Sequence, residues 1–230
     1  MKSKWRGIWE QRTPSGSATP GLGELIALNG FDSGAGYVSV EDWRANARAI
    51  AAHLDLSSSD SIYEVGCGSG ALLYALLENK TFAIGGIDYS HVLIAAARKA
   101  IPAGHFTVGE ALETKPEPVV DWVIAHSVFH YLDLVCAERV LAIMKQKAAK
   151  GVAVLEVPDN ATRAEAEMMR RGKLTPGEYD KKYAGLKHTY FDRDWFSQQA
   201  AKHGATCEIA QSFIPNSDQS RFRYNIIIKK

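Results

Sequence analysis

The segment Ser61-Ile62-Tyr63-Glu64-Val65-Gly66-Cys67-Gly68-Ser69-Gly70 runs from alternating, mostly apolar residues into three glycines at alternate positions. The first half reads as a buried strand and the glycines as its end. The apolar run Ala71 to Glu78 that follows reads as a helix. Strand, glycine turn and helix together open a parallel α/β unit. In such sheets ligands bind outside the carboxyl ends of the strands, where glycine lets the backbone approach them closely.

A second strand, Phe82 to Ile87, is followed by Asp88, 22 positions after Gly66 (88 − 66). A carboxylate there can accept hydrogen bonds from the two hydroxyls of a ribose. Beyond it, Ser90 caps a helix to Ala100, which Pro102 and Gly104 stop. His105 to Val108 and the continuous apolar run Val119 to Ala125 read as third and fourth strands, Glu138 to Lys150 as a helix, and Gly151 to Val157 as a fifth strand. This alternation predicts a mostly parallel sheet with helices on both faces, joined by right-handed crossovers.

Upstream, residues 12 to 36 are rich in Gly, Ser, Pro and Thr and read as loop, and Ser39-x-x-Asp42 reads as a capping box opening a helix to about Leu54. Residues 1–40 form an expected arm or lid ahead of one domain, 41–230. Past Pro158 the alternation breaks. A charged helix spans about Ala161 to Gly172, with Arg163, Glu165, Glu167, Arg170 and Arg171 as a solvated face and Glu167–Arg171 as an i, i+4 pair. A Pro176-Gly177 turn follows, residues 159–190 forming an expected substrate cover. Asp192 caps a helix ending at Gly204, and two final strands, Ala205 to Phe213 and Arg221 to Lys229, flank a Pro215-Asn216-Ser217-Asp218 turn as an antiparallel pair.

The chain of 230 residues carries 27 Lys and Arg against 26 Asp and Glu, a balance that argues against a polyanion surface. Cys67, Cys136 and Cys207 are odd in number and form no CxxC pair, so neither a disulfide framework nor a cysteine zinc site is expected. No apolar run follows Lys2, Lys4 and Arg6, and none approaches a membrane span. A cytoplasmic protein without a signal peptide is the expectation.

The glycine loop and Asp88 point to a nucleoside ligand without saying which. Gly66-x-Gly68-x-x-Ala71 also satisfies the fingerprint of NAD(P) enzymes, so an oxidoreductase remains an alternative, as does a non-catalytic adenosyl-ligand binder. The wider constellation resembles the class I S-adenosylmethionine-dependent methyltransferases. Four segments carry the resemblance: E-V-G-C-G-S-G from Glu64, G-I-D-Y-S around Asp88, F-T-V-G-E-A ending at Glu110-Ala111, and W-V-I-A-H-S-V-F-H-Y-L from Trp122. The closing antiparallel strand is a fifth mark.

The resemblance implies a Rossmann-like three-layer sandwich, seven-stranded, that binds S-adenosyl-L-methionine and methylates an O, N or C atom of a small molecule. It implies that Glu64 and Gly66 hold the methionine amino end, and that Gly68 and Gly70 let the chain pass close to the cofactor. Asp88 would bind the ribose and Tyr89 lie beside the adenine. Glu110, in place of the commoner aspartate, and Ala111 would read the adenine edge, with His126 and Ser127 near the methionine portion. No metal is implied. An acceptor hydroxyl or protonated amine needs a base, and His130 is the preferred candidate. Tyr131, His188 and Tyr190 are candidate acceptor contacts. Trp5, Trp9, the Gly34-to-Tyr37 stretch and Trp43 are candidate covers. Arg221 and Arg223 read most simply as a solvated strand face, the alternative being a bidentate grip on a carboxylate. The chain lacks the Asn/Asp-Pro-Pro-Tyr/Phe segment of base amino methylases, so a nucleic-acid acceptor is not expected.

Overall fold

A computed structural model describes residues 4–14, 19–32, 34–78, 80–172, 175–183, 188–202 and 204–230. At its centre is one seven-stranded sheet in the order β3-β2-β1-β4-β5-β7-β6. The strands are β1 (Ser61–Val65), β2 (Ala83–Asp88), β3 (His105–Val108), β4 (Val120–His126), β5 (Ala148–Pro158), β6 (Thr206–Gln211) and β7 (Arg223–Lys229). The first five pair in parallel, and β7 runs antiparallel to both β5 and β6. The expected architecture is therefore the observed one. Strand order reverses between β1 and β4, which opens a crevice at their carboxyl ends.

Both faces of the sheet are covered. Along β4, Trp122 and Ile124 join a core with Leu72, Ile94 and Ile50, whereas Val123 and Ala125 join the opposite core with Val140, Met144, Phe196 and Tyr224. Successive side chains point to opposite faces, so a strand buried on both sides needs the unbroken apolar run that the sequence shows. Each fully buried Val, Leu or Phe contributes ~1.5–3 kcal/mol relative to exposure.

The helices are α1 (Lys4–Glu10), α2 (Leu22–Leu28), α3 (Val40–His53), α4 (Ala71–Leu77), α5 (His91–Ala100), α6 (Leu134–Lys147), α7 (Arg163–Gly172), α8 (Pro176–Tyr183) and α9 (Arg193–Ala201). Ser39 and Ser90 accept hydrogen bonds from the Asp42 and Leu93 amides, so these two expected caps form, whereas Asp192 stands at the N-cap of α9 without a side-chain capping bond. Four expectations fail. The stretch 12–36 is not all loop, because Leu22, Leu25, Ile26 and Leu28 of α2 are buried in the core. Helix α6 starts at Leu134 rather than Glu138, where Asp133 caps it through the Cys136 amide, and it gives way to β5 already at Ala148. Pro176-Gly177 is no turn. It opens α8, where proline lacks only an amide the first turn cannot use. On α7 the ion pair is Arg163–Glu167 at 3.0 Å, not Glu167–Arg171, and Arg170 is buried beside Ala166 on the inner face.

Candidate active site

The crevice deepens into a cavity of about 450 Å³, lined from the ends of β1, β2, β4 and β5 and roofed by the N-terminal segment. Its floor is the β1–α4 turn. Gly66 and Gly68 have φ of +71° and +52°, which disfavours any side chain. A Cβ on Gly66 would lie 2.5 Å from Val128, and one on Gly68 would lie 2.3 Å from Asn29 Oδ1. That Asn29 oxygen accepts from the Ser69 amide at 2.8 Å, so α2 is tied to the glycine loop. Gly70 does not line the cavity and stands against Ala97 of α5.

Asp88 holds the loop from the other side. Its carboxylate accepts from the Gly68 amide at 3.0 Å and the Ser90 amide at 2.8 Å. Burial nonetheless pushes its pKa up to about 6, because desolvation penalises the charge more than the two amides favour it. Glu64 is 3% exposed, and among the described residues its buried Oε2 has no hydrogen-bond partner. Burial, with the nearby Asp88 charge, pushes this carboxyl well above the ordinary range. An uncompensated carboxylate is costly unless a cation meets it.

Tyr89, Glu110 and Ala111 line the same end. The Glu110 carboxylate is occupied from outside, pairing with Arg6 of α1 at 2.5 Å, while Arg6 also lies 5.3 Å over the Tyr89 ring. Arg6, Ile8, Trp9 and Arg12 thus make the N-terminal segment a cover. The Trp5 side chain lies outside the described residues. Trp43 lines the cavity but is itself core, donating from Nε1 to the Ala71 carbonyl at 3.1 Å.

His126 ends β4 in a buried position, with Nε2 3.2 Å from Asn46 Nδ2 and its ring 5.1 Å from Trp43. Burial, aided by Arg223, pushes its pKa down to about 3. Ser127 follows with φ +56° and a buried hydroxyl that lacks a partner among the described residues. His130 is buried 3.9 Å from Tyr131 and 4.9 Å from His188, ring to ring, and among the described residues its Nδ1 has no hydrogen-bond partner. Burial, with His188, Arg223 and Arg170 nearby, pushes its pKa well down. His188 is likewise pushed down to about 3 by burial and the same arginines.

The structure thus brings His130, Tyr131 and His188 to one end of the cavity. It does not bring Tyr190 there. That hydroxyl receives a hydrogen bond from Arg170, and the ring lies under Arg163 at 5.1 Å, so Tyr190 props the arginine from behind. The solvated reading of Arg223 also fails. Arg221 is exposed, 4.5 Å from the Phe222 ring, but Arg223 is drawn inward. It donates to the Glu156 carbonyl at 2.8 Å and the Gln219 side chain at 2.7 Å. Sequence reasoning missed Asn29, Val128, Glu156 and Gln219, and misplaced Arg170. The buried Ala166, four residues before Arg170 on one helix face, was the available signal.

These residues fit an adenosyl sulfonium. Glu64 would meet the ammonium of its methionine end, the glycine turn would lie along the chain, and Asp88 would face the ribose. Among the described residues no cluster of three or more His, Cys, Asp or Glu side chains could hold a metal, and no helix is long and apolar enough to cross a membrane.

A methyltransferase-domain family model matches residues 63–152. Trans-aconitate 2-methyltransferase from Rhizobium rhizogenes is 30% identical over 137 residues, 58% of this chain and 52% of the relative. The enzyme of the same name from Azoarcus is 24% identical over 180 residues, covering 76% and 70%. The chain thus spans about half the length of the first of these relatives. Magnesium protoporphyrin IX methyltransferase from Synechocystis, solved with S-adenosylhomocysteine, shares the fold at a TM-score of 0.63 and 15% identity over 97% of this chain and 93% of that one. The loop, the sheet order and these likenesses thus agree, none of them pointing to an oxidoreductase: residues 63–152 match a methyltransferase domain, and the chain is similar to S-adenosylmethionine-dependent methyltransferases in sequence and in fold.

Proposed function

We propose that the chain transfers the cofactor's methyl group to a small organic acid. One observation carries this reading: Arg170 and Arg223 both face the cavity, and no carboxylate of the described residues lies within ion-pair distance of either. Two guanidinium groups outside ion-pair contact, with Arg223 meeting the Glu156 charge only at longer range, call for an anionic ligand in a site walled by protein. The relatives named for trans-aconitate act on such an acid.

When bound, S-adenosylmethionine supplies a methyl on a sulfonium, a good leaving group. The protein's share is placement and exclusion of water. Glu64 and Asp88 fix the adenosyl end. Arg170 and Arg223 orient the acid. Phe31, Trp43 and Val128 line the cavity with apolar surface. His126, His130 and His188 stay neutral and add no competing charge. His130, whose Nδ1 meets no partner among the described residues, is the proposed base where the accepting group is a hydroxyl or amine. A carboxylate oxygen has no proton to lose and would need only orientation.

The test is a methyl-transfer assay with labelled cofactor across small carboxylic acids and their neutral esters. Acids should be methylated and esters should not. Arg223→Leu should raise KM for the acid without altering S-adenosylhomocysteine affinity. Equal turnover of acids and esters would refute the reading.

A further inference from the structure

Glu156 shares the cavity with Arg170 and Arg223, yet the cofactor roles above leave it unused. It is 3% exposed and holds a left-handed backbone, φ +60°, which is uncommon for glutamate. The strain has a visible origin. Pairing between β5 and β7 shifts register between Val154 and Val157, and such a bulge re-aims a side chain. The turned backbone is clamped: the Asn225 side chain accepts from the Glu156 amide at 2.8 Å, and Arg223 donates to its carbonyl.

The carboxylate itself is half engaged. Oε1 accepts from Ser212 Oγ, which Ser220 steadies at 3.2 Å. Among the described residues Oε2 has no hydrogen-bond partner, and no Lys or Arg lies within ion-pair distance. Arg223 spends its donors on the Glu156 main chain and on Gln219 instead. A glutamate kept only to accept from Ser212 would not need a buried charge, since a neutral amide accepts as well.

We propose that Glu156 is a specificity-determining residue that accepts a hydrogen bond from a hydroxyl of the acceptor, so that the site selects a hydroxy acid over the plain acid. The inference rests on the acid reading above. A bare second carboxylate would meet Glu156 with like charge. An ammonium would set a third cation beside Arg170 and Arg223. A hydroxyl adds a donor without a charge, and a site built around a hydroxyl discriminates strongly against the analogue lacking it.

Calorimetry on protein saturated with S-adenosylhomocysteine tests this with matched probes: malate against succinate, citrate against propane-1,2,3-tricarboxylate, and aspartate as the amino counterpart. In the wild type each hydroxy acid should bind about tenfold or more tighter than its partner. In Glu156→Gln, which can keep the Ser212 bond, the ratio should fall towards one while S-adenosylhomocysteine affinity stays unchanged. Equal binding of matched probes in the wild type, an undiminished ratio in Glu156→Gln, or aspartate binding tightest would each overturn the proposal while sparing the acid reading. Failure of all five probes to bind the loaded protein would instead remove the acid reading and this inference with it.

Discussion

Glu64→Gln should make the free protein more stable and its cofactor complex weaker. The carboxyl is buried, one oxygen is unpartnered, and Asp88 repels its charge. Its folded pKa is raised, so its contribution to stability is present at low pH and lost as pH rises through that value. A glutamine keeps the shape and cannot ionise. Relieving part of a buried, unsatisfied carboxylate is worth about 1 kcal/mol, or a rise of ~2–4 °C in the melting temperature of a chain this size. The advantage should widen as pH increases. In the complex the same carboxylate would meet an ammonium, and a hydrogen bond between charged groups contributes ~1.5–3 kcal/mol. Its loss corresponds to roughly 10- to 150-fold weaker S-adenosylhomocysteine binding. Thermal unfolding of the free protein between pH 6 and 9, paired with calorimetric titration, reads both effects. A variant that melts lower than wild type, or binds within about twofold of it, would show that Glu64 is a structural group.

Asp88 offers a pH test. Its pKa in the free protein is raised to about 6 by burial, and ribose hydroxyls need the ionised form as acceptor. S-adenosylhomocysteine affinity should therefore fall below pH 6, by about tenfold per unit, while the free fold gains stability over the same range; a flat affinity between pH 5 and 8 would count against ribose binding. Gly66→Ala forces a Cβ into Val128 at positive φ and should cost at least about 1–2 kcal/mol in denaturant unfolding. Gly23→Ala, in α2 with its nearest neighbour at 3.4 Å, should instead stabilise by ~0.5 kcal/mol. Lys147→Met should lower stability by ~1–3 kcal/mol, because the buried ammonium donates to the Lys115 and Pro118 carbonyls, which would lose their donor; an unchanged unfolding midpoint would show that water replaces it.

The sheet was legible because its signals are local. Strand β1 was read to the residue, and the caps Ser39 and Ser90 formed where serine precedes a helical run. Glu64, Gly66, Gly68 and Asp88 came together because a parallel sheet forces successive strand ends to one edge. The acceptor end was harder, since Arg170, Glu156 and Arg223 lie on α7, β5 and β7 and meet only through tertiary packing. A seven-residue α2 amid Gly and Pro carries too weak a period to read. Likewise, the exposed Leu134 and Val135 at the start of α6 gave no amphipathic pattern. Arg223 and Arg221 flank one phenylalanine, and which of them turns inward depends on a backbone bend that composition does not encode.

Ser69 anchors both its amide and its hydroxyl on α2, at Asn29 and Leu25. The ligand-binding turn and α2 should consequently melt as one cooperative unit, with amide protons of residues 22–29 exchanging more slowly when the pocket is filled. A polypeptide begun at residue 41 would keep every strand yet leave Ser69 without either acceptor. Its nucleoside pocket would be frayed at the floor and stripped of its N-terminal cover.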